Sequence, residues 1–411
     1  VVVVKVCFVT SNFPPEAVGG TEQVVTALAA RLHASGVEVV AISGSDVPHG
    51  SAEAGHDDVQ REQFEDTVVH RIFKLPDEWD RQGFVRPRIL ALVRNLLVQE
   101  RPDIVHVHST ASLGSGVTSI AHELGLPIVM TFHDLWVTCA RYFRLPAGGV
   151  SCPTGTDRAP CVICVNDALQ TDAAYVGKAL AERDRVLREE VGKVSICTAP
   201  SHTAARFVRE CLPYAGDIEV IPHGVLRPVV AADRAPAPAP GERLRIGTFG
   251  GLVPEKGVLE LVEAVAGLPC ELRLVGRLHD ATFCRLLHER LDEQGTAHHV
   301  RISGYGSDDR HPARDLHLAV FPSKCQETYG LVVDEALVHG VPVVLSDSGA
   351  FAERRGMPGV VVTPLADLAA TLRELVASPE RLAALRAAMP ATLPTIDASA
   401  RRHLELYRSL A

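Results

Sequence analysis

The sequence predicts an α/β chain made of two doubly wound, Rossmann-like domains facing a cleft. Three observations carry that expectation. The 411 residues exceed one ordinary core and suit two domains of about 200 residues each. Buried-strand runs alternate with amphipathic helical stretches, the pattern of parallel strands joined by crossover helices. The series breaks once, at Arg227-Pro-Val-Val-Ala-Ala-Asp-Arg-Ala-Pro-Ala-Pro-Ala-Pro-Gly241, where prolines alternate without an apolar stripe, and then restarts.

The first domain is expected over residues 1–225. Val2–Val9 reads as a buried strand, and Pro14-Pro15-Glu-Ala-Val-Gly19-Gly20 as the loop after it. Thr21 suits the cap of a helix with the stripe Val24, Val25, Leu28 and Leu32, ended by Gly36. Val37–Ser43, Ile104–His108, Ile128–Phe132, Val194–Ala199 and Ile218–Ile221 supply later strands. Residues 226–241 form the stiff connector. Over 242–395 the theme returns with the strand Leu244–Phe249, a helix bearing Val258, Leu261, Val262 and Val265, and the strand Leu272–Val275. The apolar runs Leu316–Phe321 and Gly340–Ser346 follow, and a last helix within 396–411 comes after Pro394.

Apolar residues at 46% and charged residues at 22% are those of an ordered globular chain. A net charge of −9 argues against nucleic acid as a partner, since no broad basic surface is there to displace counterions. No apolar run approaches the ~20 residues that cross a bilayer. The opening valine-rich run has no cleavage site after it, so a cytoplasmic location is expected. Peripheral membrane contact is left open.

Chemistry concentrates in Phe321-Pro-Ser-Lys-Cys-Gln-Glu327-Thr-Tyr-Gly330-Leu-Val-Val-Asp-Glu335-Ala-Leu. Two carboxylates flank a small-residue turn that opens an apolar helix, with a buried-strand run on either side. Such a loop lies at the carboxyl ends of a parallel sheet, where open α/β sheets bind ligands. The N–H groups of Tyr329, Gly330 and Leu331 would begin the helix at its positive end, which suits a phosphate. Glu327 would lie beside the anion, and Glu335 could accept hydrogen bonds from ribose hydroxyls. Taken singly, either glutamate reads equally well as a solvated surface charge. Spacing, turn and flanking strands together favour a site.

This stretch resembles the Glu-x7-Glu signature of retaining glycosyltransferases with the two-domain GT-B fold, in particular glycosyltransferase family 4 (glycosyl transferases group 1). The resemblance runs from Gly19 to about Pro364 and implies further site residues. Gly19-Gly20-Thr21, by itself a tight turn and no match to G-x-G-x-x-G, is similar to the family's loop beside the donor diphosphate. His133, at the tip of Ile128–Phe132, reads from position alone as a structural histidine; it matches a family histidine that contacts the donor sugar. Phe249-Gly250-Gly251-Leu-Val-Pro-Glu-Lys256-Gly257 resembles the segment in which an arginine and a lysine hold the diphosphate. Lys256 matches the lysine, whereas Gly251 stands at the arginine's place, and Arg277 at the next strand tip is the candidate substitute. Gly304 and Tyr305 are expected to frame the base. Ile221-Pro-His223-Gly-Val has His for the family's Asn, and His317 stands where Asp is common. His106 and His108 alternate along one strand and share a face, lining the cleft floor or simply packing.

Of ten cysteines, Cys7, Cys197 and Cys270 read as small core residues. Cys139, Cys152, Cys161 and Cys164 follow His133 in an irregular stretch and end in Cys-x2-Cys, a spacing that suits a structural zinc ion. Four unrelated cysteines, or an iron–sulfur cluster, are the other readings.

The implied activity is transfer of a hexose from a nucleotide-diphosphate sugar, UDP- or GDP-linked, to a small-molecule or glycan acceptor with retention of configuration. His133, Glu327 and Lys256 would be its catalytic residues, with no side-chain nucleophile. No catalytic metal is expected, because no Asp-x-Asp cluster stands at a strand tip. A nucleotide-sugar epimerase, a glycan phosphorylase and an inactive nucleotide-binding partner are the alternatives. The alanine- and arginine-rich composition points to natural-product or cell-surface glycan pathways.

Overall fold

The computed structural model describes residues 4–16, 19–51, 57–80, 83–153, 155–213, 216–229, 233–239, 241–277, 280–295, 300–304 and 310–411. The chain divides into two compact units, residues 1–226 with 395–411, and residues 227–394. Each is a parallel-sheet α/β domain.

In the first unit the strands are β1 (Lys5–Thr10), β2 (Glu38–Pro48), β3 (Val59–Phe64), β4 (Thr67–Lys74), β5 (Ile104–Val107), β6 (Ile128–Thr131), β7 (Ile196–Ala199) and β8 (Ile218–Val220). They form one sheet in the order β3-β4-β2-β1-β5-β6-β7-β8, parallel except for β3, which runs antiparallel to β4. The helices α1 (Gly20–Ala34), α2 (Pro87–Glu100), α3 (Val117–Glu123), α4 (Ala159–Leu169), α5 (Ala173–Val191) and α6 (His202–Cys211) connect them. Near-continuous apolar strands such as Val6-Cys-Phe-Val9 are buried on both faces, as a covered parallel sheet requires. The β3–β4 hairpin departs from the strand–helix theme. Its outer strand reads Val-Gln-Arg-Glu-Gln-Phe, too polar to announce itself as a strand. α1 also begins two residues earlier than the Thr21 cap implied: Gly19 is the N-cap, and its N–H donates to Glu22 Oε2 at 3.0 Å.

The second unit holds β9 (Leu244–Gly251), β10 (Cys270–Arg277), β11 (Val300–Ser303), β12 (Leu318–Phe321), β13 (Val343–Ser346) and β14 (Val360–Thr363). They make a fully parallel sheet in the order β11-β10-β9-β12-β13-β14. α7 (Val258–Ala264), α8 (Ala281–Glu293), α9 (Leu331–Val338), α10 (Leu368–Ala377) and α11 (Pro379–Ala388) complete it. Ile246, Leu272, Leu274, Leu318 and Val320 face α7, α8 and α10, while Phe249, Phe321, Val343 and Leu345 pack with α9 residues on the other side.

The last helix, α12 (Ile396–Leu410), belongs to the first unit. It packs against α1 and buries Ile396, Ala400 and Tyr407 in the core that contains Val6, Phe8 and Val129. No helix among the described residues is long and apolar enough to cross a membrane.

One backbone approach in the second unit is tight. Gly257 has φ +72°, and a Cβ there would lie 1.9 Å from the Pro322 carbonyl oxygen. Gly257→Ala is therefore expected to cost more than the ~1–3 kcal/mol of left-handed strain alone. Urea unfolding checks this; an unchanged midpoint would mean that the two loops separate at no cost.

Candidate functional site

In the second unit, strand order reverses between β9 and β12, the switch point at which open α/β sheets leave a crevice. The loop after β9 makes a short 3-10 turn at Pro254–Lys256, and the loop after β12 folds onto it through amides of Lys324 and Cys325 that donate to the Glu255 carbonyl. That brings Lys256 Nζ within 2.7 Å of Glu327 Oε1. The Lys256 side chain is 37% exposed and that of Glu327 only 11%. Burial lowers the lysine pKa, but Glu327 and Cys325 outweigh it, so the net shift is upward and the ammonium stays charged.

Three residues on, Gly330 is the N-cap of α9, with φ +83°. A Cβ there would meet the Phe351 ring at 2.2 Å, so only glycine fits. The Val333 N–H donates to the Gly330 carbonyl, whereas the Leu331 and Val332 N–H groups precede the first helical acceptor and point from the positive end. Tyr329 precedes the helix instead of starting it. Its ring is buried, its hydroxyl donates to Asp334 Oδ2 at 2.6 Å, and Arg354 closes the cluster at 3.0 Å from Asp334 Oδ1. The phenol side chain is thus committed to packing, a role that no local spacing announced. Glu335 is partly exposed, 3.6 Å from His311 Nε2, and its carbonyl accepts from His339 Nδ1.

Gly250 and Gly251 end β9, and Arg277, exposed at the end of β10, pairs in register with Gly251. The neighbouring Gly276 is forced: its Cβ would sit 1.9 Å from the Gly250 oxygen. Gly304 follows β11 and is exposed. Tyr305 lies outside the described residues.

In the first unit the corresponding reversal falls between β1 and β5. Gly19 and Gly20 open α1 in the segment that follows β1. His133 follows β6, buried with 8% exposure, and Asp134 next to it accepts from the Trp136 N–H at 2.8 Å. A narrow cavity of about 40 Å³ at these strand ends is lined by His108, Thr131, His133, Asp134 and Glu190 among others. The sequence marked His133, His106, His108 and His223 separately, but not that three of them meet. His108 Nδ1 lies 2.9 Å from His133 Nε2, and His223 Nε2 lies 3.4 Å from His133 Nδ1. His106 sits beneath, its ring 3.9 Å from that of His108, with Tyr407 OH at 2.6 Å and Thr131 Oγ1 at 2.7 Å. Burial drives all these imidazoles toward neutrality: His133 falls to about 3, and His106, His108 and His223 lie well below the usual histidine range. The signal was present as His106 and His108 on one buried strand and His223 in place of asparagine.

Cys139, Cys152, Cys161 and Cys164 are free and partly buried. They lie close enough for Cys139, Cys164 and Cys161 to add to the burial that raises Cys152 to about 11. Cys164 Sγ accepts from Arg141 Nη1 at 3.2 Å and from the Ala147 N–H at 3.3 Å. Among the described residues, however, no group of three or more His, Cys, Asp or Glu is arranged to hold a metal ion. The loop provides proximity without a coordination shell.

Comparison with known proteins agrees across both units. The profile of Glycosyltransferase Family 4 matches residues 18–225, and that of Glycosyl transferases group 1 matches residues 243–378. A GDP-mannose-dependent alpha-mannosyltransferase of Mycolicibacterium smegmatis is 25% identical over 350 residues, covering 84% of this chain and 80% of that protein. An MMP alpha-(1->4)-mannosyltransferase of Mycolicibacterium hassiacum is 27% identical over 321 residues, 73% of this chain and 69% of that one. Among solved structures, the sucrose-phosphate synthase of Thermosynechococcus elongatus superposes with a TM-score of 0.69 at 18% identity, covering 99% of both chains. HepE of Anabaena, in complex with UDP and glucose, gives 0.66 at 16% identity, covering 99% of this chain and 100% of its own. With a family profile spanning half its length and GT-B folds as its structural neighbours, the chain belongs to glycosyltransferase family 4.

Proposed function

We propose that the chain transfers a hexose from a UDP- or GDP-linked donor to a small-molecule or glycan acceptor, with retention of the anomeric configuration. The observation that carries this reading is the 2.7 Å meeting of Lys256 and Glu327 at the β9/β12 switch point, just ahead of the amino end of α9. A diphosphate seated on the amides of Gly330 and Leu331 would find a permanent positive charge at Lys256 and a helix terminus for its remaining charge. The leaving nucleoside diphosphate gains negative charge as the glycosidic bond breaks, so groups fixed in advance at that point lower the barrier. Glu327 then orients sugar hydroxyls, and Glu335 accepts from the ribose. Arg277, in register with Gly251, supplies the second cation. Gly19 and Gly20 leave room for backbone approach, Gly304 and Tyr305 address the base, and His133 hydrogen-bonds a sugar hydroxyl. Two of the relatives bear mannosyltransferase names and HepE binds UDP, which supports nucleotide-sugar chemistry and leaves both bases to be tried.

Calorimetric titration with UDP and GDP, followed by turnover with the matching hexose donors and proton NMR of the anomeric product, tests the reading. One nucleotide is expected to bind and the product to keep the donor's configuration; no binding by either, or an inverted product, rejects it. Lys256→Ala should weaken nucleotide binding and lower kcat by about 10²–10³-fold, the usual loss for one stabilising donor. Glu327→Gln frees Lys256 from its present partner, so nucleotide affinity should hold or rise while turnover falls. Equal losses of both would assign Glu327 to nucleotide binding instead. Arg277→Ala is expected to lower kcat in the same direction as Lys256→Ala, and unchanged turnover removes Arg277 from the site.

A structural zinc ion on Cys139, Cys152, Cys161 and Cys164 stands as a separate proposal. It is supported by the gathering of four sulfurs and by the two N–H groups already aimed at Cys164. Elemental analysis should find one zinc per chain, with chelation lowering the melting temperature. A metal-free chain whose four thiols all react in the native state removes it.

A further inference from the structure

A hydrogen bond between two neutral imidazoles needs one protonated nitrogen and one lone pair. The 2.9 Å contact between His108 Nδ1 and His133 Nε2 therefore has two solutions, and each dictates the tautomer of both rings. Either His108 donates from Nδ1, which puts the His133 proton on Nδ1, or His133 donates from Nε2, which puts the His108 proton on its own Nε2.

His108 Nε2 distinguishes them. That atom is buried and has no hydrogen-bond partner among the described residues. The largest electrostatic influences on His108 come from the imidazoles of His106, His133, His403 and His223, and no carboxylate makes a hydrogen bond to Nε2. Phe8 covers the ring edge-on at 4.5 Å between centroids. A protonated Nε2 here would be a buried donor without an acceptor, which is rarer and costlier than an unused lone pair. The His108 proton therefore resides on Nδ1 and is shared with His133 Nε2, and the His133 proton is displaced to Nδ1.

We propose that His108 is a positioning residue that fixes His133 as the Nδ1–H tautomer, making His133 a hydrogen-bond donor and not a proton acceptor. The His133 Nδ1–H points toward His223 Nε2, which at 3.4 Å is a long partner, against 2.9 Å on the His108 side. Of these two contacts, the one at Nε2 is the shorter. A substrate oxygen, acceptor of one short bond, is the chemistry that fits Nδ1; that last step rests on the transferase reading, whereas the tautomer does not. His223 becomes the resting partner of the donor and His108 its anchor. Burial keeps the set neutral, so the proton on Nδ1 persists through the neutral range.

The tautomer can be read directly, with no sugar nucleotide present. Long-range proton–nitrogen correlation NMR on the full chain, labelled with nitrogen-15 histidine at neutral pH, separates protonated from unprotonated ring nitrogens. The His133 signals are identified by their loss in His133→Gln. In the unsubstituted chain Nδ1 is expected to be protonated and Nε2 not. His108→Asp puts a carboxylate acceptor where the donor stood, and His133 should then be protonated at Nε2. His108→Asn, the same shape with an amide N–H to offer near the place of Nδ1–H, should keep the original pattern. A His133 protonated at Nε2 in the unsubstituted chain overturns the proposal, and so does a His133 Nε2 that stays unprotonated in folded His108→Asp. If His108→Asp fails to fold, the unsubstituted spectrum and His108→Asn decide alone. An inactive chain with the expected tautomer would count against the transferase reading only, and an active chain protonated at Nε2 against this proposal only.

Discussion

Two loops of the second unit can touch only because residue 257 lacks a side chain. The left-handed backbone at Gly257 brings the end of the 3-10 turn against the carbonyl of Pro322, and everything useful nearby follows from that approach. Lys256 is carried to Glu327, 71 residues further along the chain, and the turn that holds Glu327 is stitched to the Glu255 carbonyl. Gly349 repeats the device from the other side, since a Cβ there would lie 2.3 Å from the Glu327 amide nitrogen. The backbone that carries Glu327 is held by close glycine contacts at Pro322 and at Glu327 itself, and the ammonium paired with the carboxylate keeps its charge. Position and charge are thus set before any ligand arrives, which is what makes electrostatic stabilisation effective.

The first unit solves a different problem. A chain of its buried polar groups links α12 to the strands β5, β6 and β7. Tyr407 reaches from α12 to His106, His106 to Thr131, and Thr131 to Thr198 at 2.6 Å. Such networks are worthwhile only when nearly complete. The carboxyl-terminal helix therefore supplies a hydroxyl as well as apolar cover, and the histidine layer of β5 is held from below by a residue 301 positions away from it in sequence.

The fold was legible where the chain is repetitive. Runs such as Val343-Val-Leu-Ser346 can only be buried strands, and their alternation with helices yields two parallel-sheet domains. Legibility failed where the local pattern runs counter to its environment. β3 is polar because it lies at an edge, and α1 takes a glycine cap whose own N–H is received by the Glu22 carboxylate. Within the candidate site, individual residues could be named from motif and loop position, but pairings could not. The partners of His133 come from the ends of other strands, separated from it by 25 and 90 residues, and spacing carries no information about such contacts. Tyr329 shows the same limit: the sequence placed its N–H at the start of the helix, whereas the helix begins at Leu331, and nothing local announced that its ring meets the Asp334–Arg354 pair.

The antiparallel strand β3 has one more effect. An open sheet ends in unpaired peptide groups, and these invite any extended segment, including another copy of the same chain, to dock and prolong it. Here the outermost position is occupied by Gln60, Arg61 and Gln63, all exposed, with Glu62 tied back to Arg71 Nε at 2.5 Å. A newcomer would have to strip water from charges and amides to gain a row of peptide bonds. The rim of the larger sheet is thus guarded against aggregation by the very polarity that hid it as a strand.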